Sequence, residues 1–189
     1  MRTGSHSLIH SLRAIVGLGA LSMLAACGSA EKAQAPAGPL PKPSFDQTIP
    51  GVRATIAGLG APWAKPSRNE IVPDPATGGT IIATSADGGD AKLYRLPDGW
   101  IREVALTSGM GKTCGDPANV ERAIPLLLTG LATKVSLTPA QAARLKVGLA
   151  EAPPVSIDIG PVRIAVRGGC VQHLTVTAIG SFSQAGKRL

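Results

Sequence analysis

The sequence predicts an α+β fold: antiparallel strands in two meanders with two intervening helices. Three observations carry that prediction. Strand-like runs between Thr80 and Leu106 are punctuated by Asp87-Gly88-Gly89-Asp90 and Pro97-Asp98-Gly99. Apolar residues between Asp116 and Leu149 then recur at helical spacing behind two capping sequences. From Val155 to Ile179 alternation of period two returns, broken at Gly160-Pro161 and Gly168-Gly169.

The folded part is expected to start near Phe45. Residues 51–57 read as a first strand, after which Pro62, Pro66, Pro73 and Pro75 break the chain into loop. Thr80–Ser85, Ala91–Leu96 and Trp100–Leu106 follow as the first meander. Its register stays open, because each simple loop length sets at least one charged residue against a poor partner.

Asp116 is placed to cap the first of the two helices, with Pro117 at the first helical position, where a missing N–H costs nothing. Val120, Ile124 and Leu127/Leu128 form its apolar stripe, and Pro125 is expected to end or kink it. Thr138 and Gln141 have the spacing of a capping box, with Pro139 between them; Ala142, Leu145 and Leu149 then share one face.

The last region carries its own register. A two-residue turn at Gly160-Pro161, with glycine supplying a positive φ, sets Ile159 against Val162, Ile157 against Ile164 and Val155 against Val166 on one face. Asp158 then faces Arg163 and Ser156 faces Ala165 on the other. A slip of one residue would oppose apolar to polar throughout. Gly168-Gly169 turns the chain into Cys170–Ile179, where Leu174, Val176 and Ala178 alternate with His173, Thr175 and Thr177.

The N-terminus follows a different logic. Arg2 and Arg13 are the formal charges ahead of Glu31, and Ala14–Leu24 is an apolar run of 11 residues. As a helix it would span roughly 16 Å, about half of a ~30 Å hydrocarbon core. That is the pattern of an export signal rather than of a membrane span. The run ends in Leu24-Ala25-Ala26-Cys27, which resembles the lipobox of bacterial lipoprotein precursors. The resemblance covers about the first 28 residues. It implies that residues 1–26 are a signal peptide, that the Cys27 thiol takes a diacylglyceryl group, and that cleavage before Cys27 exposes an amine that is then acylated. By resemblance to Gram-negative lipoproteins, Gly28 after the cysteine favours the outer membrane, facing the periplasm. Two or more acyl chains, at about 0.8 kcal/mol per buried CH₂, hold a protein on a bilayer stably. The bilayer is thus the first expected partner, reached through acylated Cys27.

The expected organisation is a signal peptide over residues 1–26, a lipidated Pro/Ala-rich tether over 27–43 and a single α+β domain over 44–189. GSAEKAQAPAGPLPKP, residues 28–43, carries four prolines among small and polar residues and lacks the apolar surface to order itself. As a flexible chain it reaches about 20–25 Å. Once the anchor has consumed Cys27, Cys114 and Cys170 remain as an even pair in an oxidising compartment and are expected to form a disulfide closing a loop of about 57 residues. Its expected role is structural, because no CxxC spacing points to redox work.

Several chemistries find little support. Removing residues 1–26 leaves 163 of 189 residues, with 17 Lys/Arg against 12 Asp/Glu, a formal +5. The excess is scattered; it is compatible with an anionic envelope component as partner, such as lipid headgroups or lipopolysaccharide phosphates. Nucleic acid is not expected, since the chain is exported and aromatics are sparse. Gly109-Met110-Gly111-Lys112-Thr113 has the end of a phosphate-binding loop, but that motif needs a glycine where Leu106 stands. His173 is the single histidine past the signal, too few for a histidine-rich metal site, and no G-x-S-x-G accompanies it. Glu70, Asp74, Glu103 and Glu121 are the acids available for two-carboxylate hydrolysis. Trp63, Tyr94 and Trp100 read as core pieces, with Trp63, in its Pro-flanked loop, the first choice for an exposed one.

No catalytic residue, metal or cofactor is assigned from sequence. The reading is a membrane-anchored envelope lipoprotein with a non-enzymatic binding or structural role toward an unknown protein partner. The alternatives are a tethered cell-wall-active hydrolase and an inhibitor of an exported enzyme.

Overall fold

A computed structural model describes residues 43–109, 113–150, 153–180 and 182, all within the compact unit Pro39–Leu189. Residues 1–26, Cys27, the tether up to Lys42 and the Met110-Gly111-Lys112 segment lie outside the described residues.

The chain enters at Phe45, which is fully buried, bridges to Ile101 and stacks its ring 5.4 Å from that of Phe182. The strand expected over residues 51–57 is a helix, α1 (Ile49–Gly58). Its β-branched residues suggested extension, but Val52 and Ile56 are four apart and both buried, a helical pair. Thr48 caps the helix by accepting from the Gly51 N–H at 3.3 Å, and a proline sits in the first turn.

The proline-rich stretch that follows is also regular. β1 (Pro66–Asp74) pairs antiparallel with β2 (Gly79–Ala86), at the margin of the sheet. An edge strand presents half of its N–H groups to solvent, so Pro66 at its start and Pro73 near its end cost little pairing. β2, β3 (Gly89–Arg95) and β4 (Ile101–Ser108) complete a four-strand meander. The turn that sequence placed over Asp87–Asp90 is tighter: Asp87-Gly88 alone connects the strands, Gly88 takes φ +90°, and Ala86 pairs with Gly89. In this register each charge meets a small or polar neighbour. Asp90 lies between Ser85 and Thr107, and Lys92 between Ala83 and Ala105.

α2 (Pro117–Gly130) begins with Asp116 accepting from the Ala118 N–H at 2.8 Å. The expected break at Pro125 does not end it. A proline in a helix interior costs roughly 3 kcal/mol. Here Leu127 and Leu128, beyond it, are buried with Val120, Ala123 and Ile124, while Pro125 itself faces outward. Tertiary packing outweighs the local penalty.

α3 (Pro139–Ala150) starts at a capping box closed from both sides. The Thr138 N–H donates to Gln141 Oε1 at 2.9 Å, and the Gln141 N–H donates to Thr138 Oγ1 at 3.3 Å. Leu145 and Leu149 are buried; Ala142, assigned to the same face, is exposed, and Gly148 takes the inner position instead.

β5 (Val155–Ile159), β6 (Val162–Arg167) and β7 (Gln172–Ala178) form the second meander in the register read from sequence, with Gly160 at φ +55°. The two meanders do not stand apart. β7 pairs antiparallel with β4, giving one seven-stranded sheet in the order β1-β2-β3-β4-β7-β6-β5. The fold is α+β with three described helices, one more than expected. On the helix side of the sheet, Ile82, Leu93, Val104, Val176, Ile164 and Ile157 line up across six strands, all buried.

Trp63 is buried, not exposed. Its indole N–H donates to the Thr107 carbonyl at 2.8 Å, whereas Tyr94 and Trp100 are half-buried. Cys114 and Cys170 are joined by a disulfide. It lies where β4 leaves the sheet and β7 enters it, and beside it the Gly115 N–H donates to the Cys170 carbonyl at 2.7 Å.

Closing so long a loop contributes up to ~4 kcal/mol in the chain-entropy description, with native-state strain reducing the gain. Cys114→Ser is therefore expected to lower the unfolding free energy measured by urea titration by an amount within that ceiling and to slow migration on a non-reducing denaturing gel. An unchanged mobility would count against the bridge in the isolated protein.

Candidate functional site

α2 and α3 cover the same side of the sheet and touch each other, each also seated on its own pair of strands. α2 packs against β4 and β7, α3 against β5 and β6. α3 sits close because Gly148 has no side chain: a Cβ there would lie 2.6 Å from Val155 Cβ and 2.9 Å from Val166 Cγ2. The Gly168 N–H ties the same turn to β6 by donating to the Gly148 carbonyl at 2.8 Å. α3 is thus drawn toward β5 and β6 while α2 stays over the centre of the sheet.

The connection between the helices forms the third wall. At the end of α2, Thr133 is buried and donates through Oγ1 to the Leu128 carbonyl at 2.9 Å. Ala132 and Lys134, on either side of it, hold φ of 53° and 54°, left-handed values that a side chain makes costly. This backbone turns Val135 and Leu137 toward the gap, where both remain only half-buried.

Together these elements leave a cleft of about 390 Å³. Ile124, Leu128, Leu145 and Leu149 form its floor, and Pro125 lies on the α2 side. Pro125 has no N–H for the Glu121 carbonyl, which leaves that oxygen without the usual donor four residues on. At the mouth, Lys146 Nζ and Glu121 Oε2 stand 3.5 Å apart, both well exposed. The volume is at the lower end of small-molecule sites, and the lining is aliphatic with a few polar groups at the rim.

The acids singled out from sequence are not gathered here. Glu70 stands 3.7 Å from Arg68 on the edge strand. Asp74 accepts from the Thr77 hydroxyl at 2.6 Å and the Ala76 N–H at 3.0 Å. The Thr77 bond is the main reason its carboxyl is held below the ordinary range, against an opposing effect of burial. Glu103 accepts from the Thr177 hydroxyl at 2.9 Å on the uncovered face. Glu121 alone reaches the cleft. Among the described residues no three His, Cys, Asp or Glu side chains cluster as a metal site.

His173 is half-buried opposite Arg167; burial first, and that guanidinium second, lower its pKa from the ordinary 6.5. Asp158 receives two bonds from Arg163, at 2.7 and 2.8 Å, which hold its carboxyl below the ordinary range. This exposed pair lines a second, polar depression with Gln141, Arg144 and Ser156.

Sequence reading missed the cleft, although two signals bore on it. Leu131, Val135 and Leu137 are apolar in a segment with no regular structure, and Pro125 lies inside a helical stripe. Compared with known proteins, the chain matches no family model, no curated sequence and no solved structure.

The pH response follows from the lowered carboxyl of Asp158. Its pair with Arg163 is intact above the ordinary carboxylate pKa and is lost as pH falls through the lower folded-state value. Asp158→Asn should therefore narrow the difference between urea midpoints at neutral and acid pH, and an undiminished difference would assign the acid response to other groups. For His173 the sign is the same: the neutral ring is the favoured form in the fold. Its imidazole proton resonances should titrate with a midpoint below 6.5, and a midpoint above that value would contradict the environment described.

Proposed function

We propose that this chain is an envelope lipoprotein, anchored through acylated Cys27 at the outer membrane and facing the periplasm, whose folded part is a non-enzymatic binding module. One observation carries the reading. Of three cysteines, Cys114 and Cys170 are joined to each other. That pairing fits an oxidising compartment and leaves Cys27, in Leu24-Ala25-Ala26-Cys27, as the single cysteine outside the bridge.

Further support comes from the layout. No helix among the described residues is long and apolar enough to cross a membrane; in this reading the lipid at Cys27 is the attachment. The sequence of 28–43 is that of a tether, expected to reach about 20–25 Å as a flexible chain. A role in binding draws on the aliphatic cleft, whose rim holds one carboxylate already opposite a lysine. Two-carboxylate hydrolysis needs a second acid beside the first, and among the described residues Glu121 is the one carboxylate lining the cleft. An anionic envelope component is compatible with the positive balance of residues 27–189.

Mass spectrometry of the N-terminal peptide from the membrane fraction is expected to show Cys27 first, carrying acyl chains, and Cys27→Ser should remove the acylation and shift the protein out of the membrane-bound pool. An intact leader, or an unmodified Cys27 in the membrane fraction, would refute the anchor.

A further inference from the structure

We infer that the cleft between α2 and α3 binds a single long-chain carboxylic acid, with its alkyl chain over Ile124, Leu128, Leu145 and Leu149 and its carboxylate at Lys146. This deepens the binding-module reading and rests on it, but it does not depend on the anchor.

The lining selects the chain. The floor is aliphatic and no aromatic side chain lines the cleft, so a flexible alkyl group finds contact where a planar ring finds no stacking partner. At roughly 30 Å³ per methylene, close to a water molecule's share of the liquid, the space takes about a dozen carbons. That is one chain of moderate length, and too little for a two-chain lipid.

The rim selects the head. α3 carries Arg144 and Lys146 and no acid. Among the described residues Lys146 is paired with Glu121, at 3.5 Å and in solvent, and an exposed pair of that kind is weak. A carboxylate arriving at the mouth replaces one loose partner with another while Glu121 turns to water. The Thr129 hydroxyl on the same wall already donates to the Pro125 carbonyl at 2.9 Å, so the charge at Lys146 carries the selection.

The architecture keeps the space open. Gly148 draws α3 onto β5 and β6, and Ala132 and Lys134 hold a backbone conformation that costs free energy without any burial of their own. Costly backbone of this kind persists at ligand clamps when its surroundings fix it. Half-buried Val135 and Leu137 supply the apolar wall that results.

The test uses the full chain in its own membranes, exposed to a dodecanoic acid probe with a terminal diazirine and, separately, to the matching alcohol. After irradiation the adducts are mapped by peptide mass spectrometry. Ala142 lines the cleft and is exposed, whereas the neighbouring Ala143 is exposed but not part of the lining, so tryptophan at either position adds equal bulk to one helix. The acid is expected to label the 117–150 region, Ala142→Trp to reduce that labelling about tenfold, and Ala143→Trp to leave it unchanged. Lys146→Glu, an exposed change with little risk to folding, should reduce labelling by the acid about fivefold, the scale of an exposed charge pair, and spare the alcohol.

Adducts elsewhere, labelling indifferent to Ala142→Trp, or equal effects of Lys146→Glu on acid and alcohol would each overturn the proposal. Covalent acylation at Cys27 is read from a different peptide in the same digest. Cleft labelling on an unacylated chain would sink the anchor and keep the site, and an acylated chain without cleft labelling would do the reverse.

Discussion

The pairing of β4 with β7 is the contact on which the rest of the structure depends. Each meander is local, built from turns of a few residues, and a three- or four-stranded sheet with one apolar face needs a partner to bury it. Leu106 against Leu174 and Val104 against Val176 join the two halves, so that the buried row runs unbroken from Ile82 to Ile157. The halves are separated by the whole α2–α3 segment, and closing that loop costs entropy before any contact returns it. The Cys114–Cys170 bridge sits at the mouth of this same loop, at the end of the β4–β7 ladder. Covalent and hydrogen-bonded constraints therefore act on one junction.

From that junction the helical layer follows. The segment between β4 and β5 has to cross the sheet from its middle to its far edge, and it does so as α2, a turn, and α3. α2 stays over β4 and β7, and α3 reaches β5 and β6 through Gly148. Two helices seated on different strand pairs touch along only part of their length, and the connection between them carries two left-handed residues, Ala132 and Lys134. The cleft is the geometric remainder of that arrangement. Its aliphatic lining is the outer flank of the apolar stripe that seats the helices, which explains why Leu128 and Leu145 serve the core and the cleft at once.

How legible this was depended on the range of the interaction. The β5–β6 hairpin could be read residue by residue, because a glycine turn and strict alternation fix a register without outside help. The capping box at Thr138 and Gln141 was equally readable, being closed within four residues. α1 was misread because Val52, Thr55 and Ile56 favour extension by themselves, and only burial of one face under the rest of the protein settles them as a helix. β1 was missed for the opposite reason: its prolines argue against a strand everywhere except at an edge, and which strand lies at the edge is a property of the whole sheet. The register of β2 and β3 was illegible from charge because Asp90 and Lys92 are separated from other charges by Ser85, Thr107 and two alanines, so no ion pair marks it. The β4–β7 pairing leaves no local signature, since it joins segments distant in sequence, and the signals at Pro125, Val135 and Leu137 do not by themselves say how α2 and α3 are seated on the sheet.

The two faces of the sheet support different kinds of work. The uncovered face carries Glu70, Lys92, Glu103, Arg163 and Arg167 interspersed with alanine, serine and threonine, as a sheet that faces water on one side does. The bonds they make, such as Thr177 to Glu103 and Arg163 to Asp158, run along the sheet between neighbouring strands. The helix side concentrates apolar surface into a concavity and, among the described residues, sets the exposed Lys146–Glu121 pair at its edge. Chemistry at a site requires polar groups gathered at hydrogen-bond distance around one reacting atom, whereas retention of an amphiphile requires an apolar slot and one charge of the right sign. The proposed use of the cleft asks for the second condition.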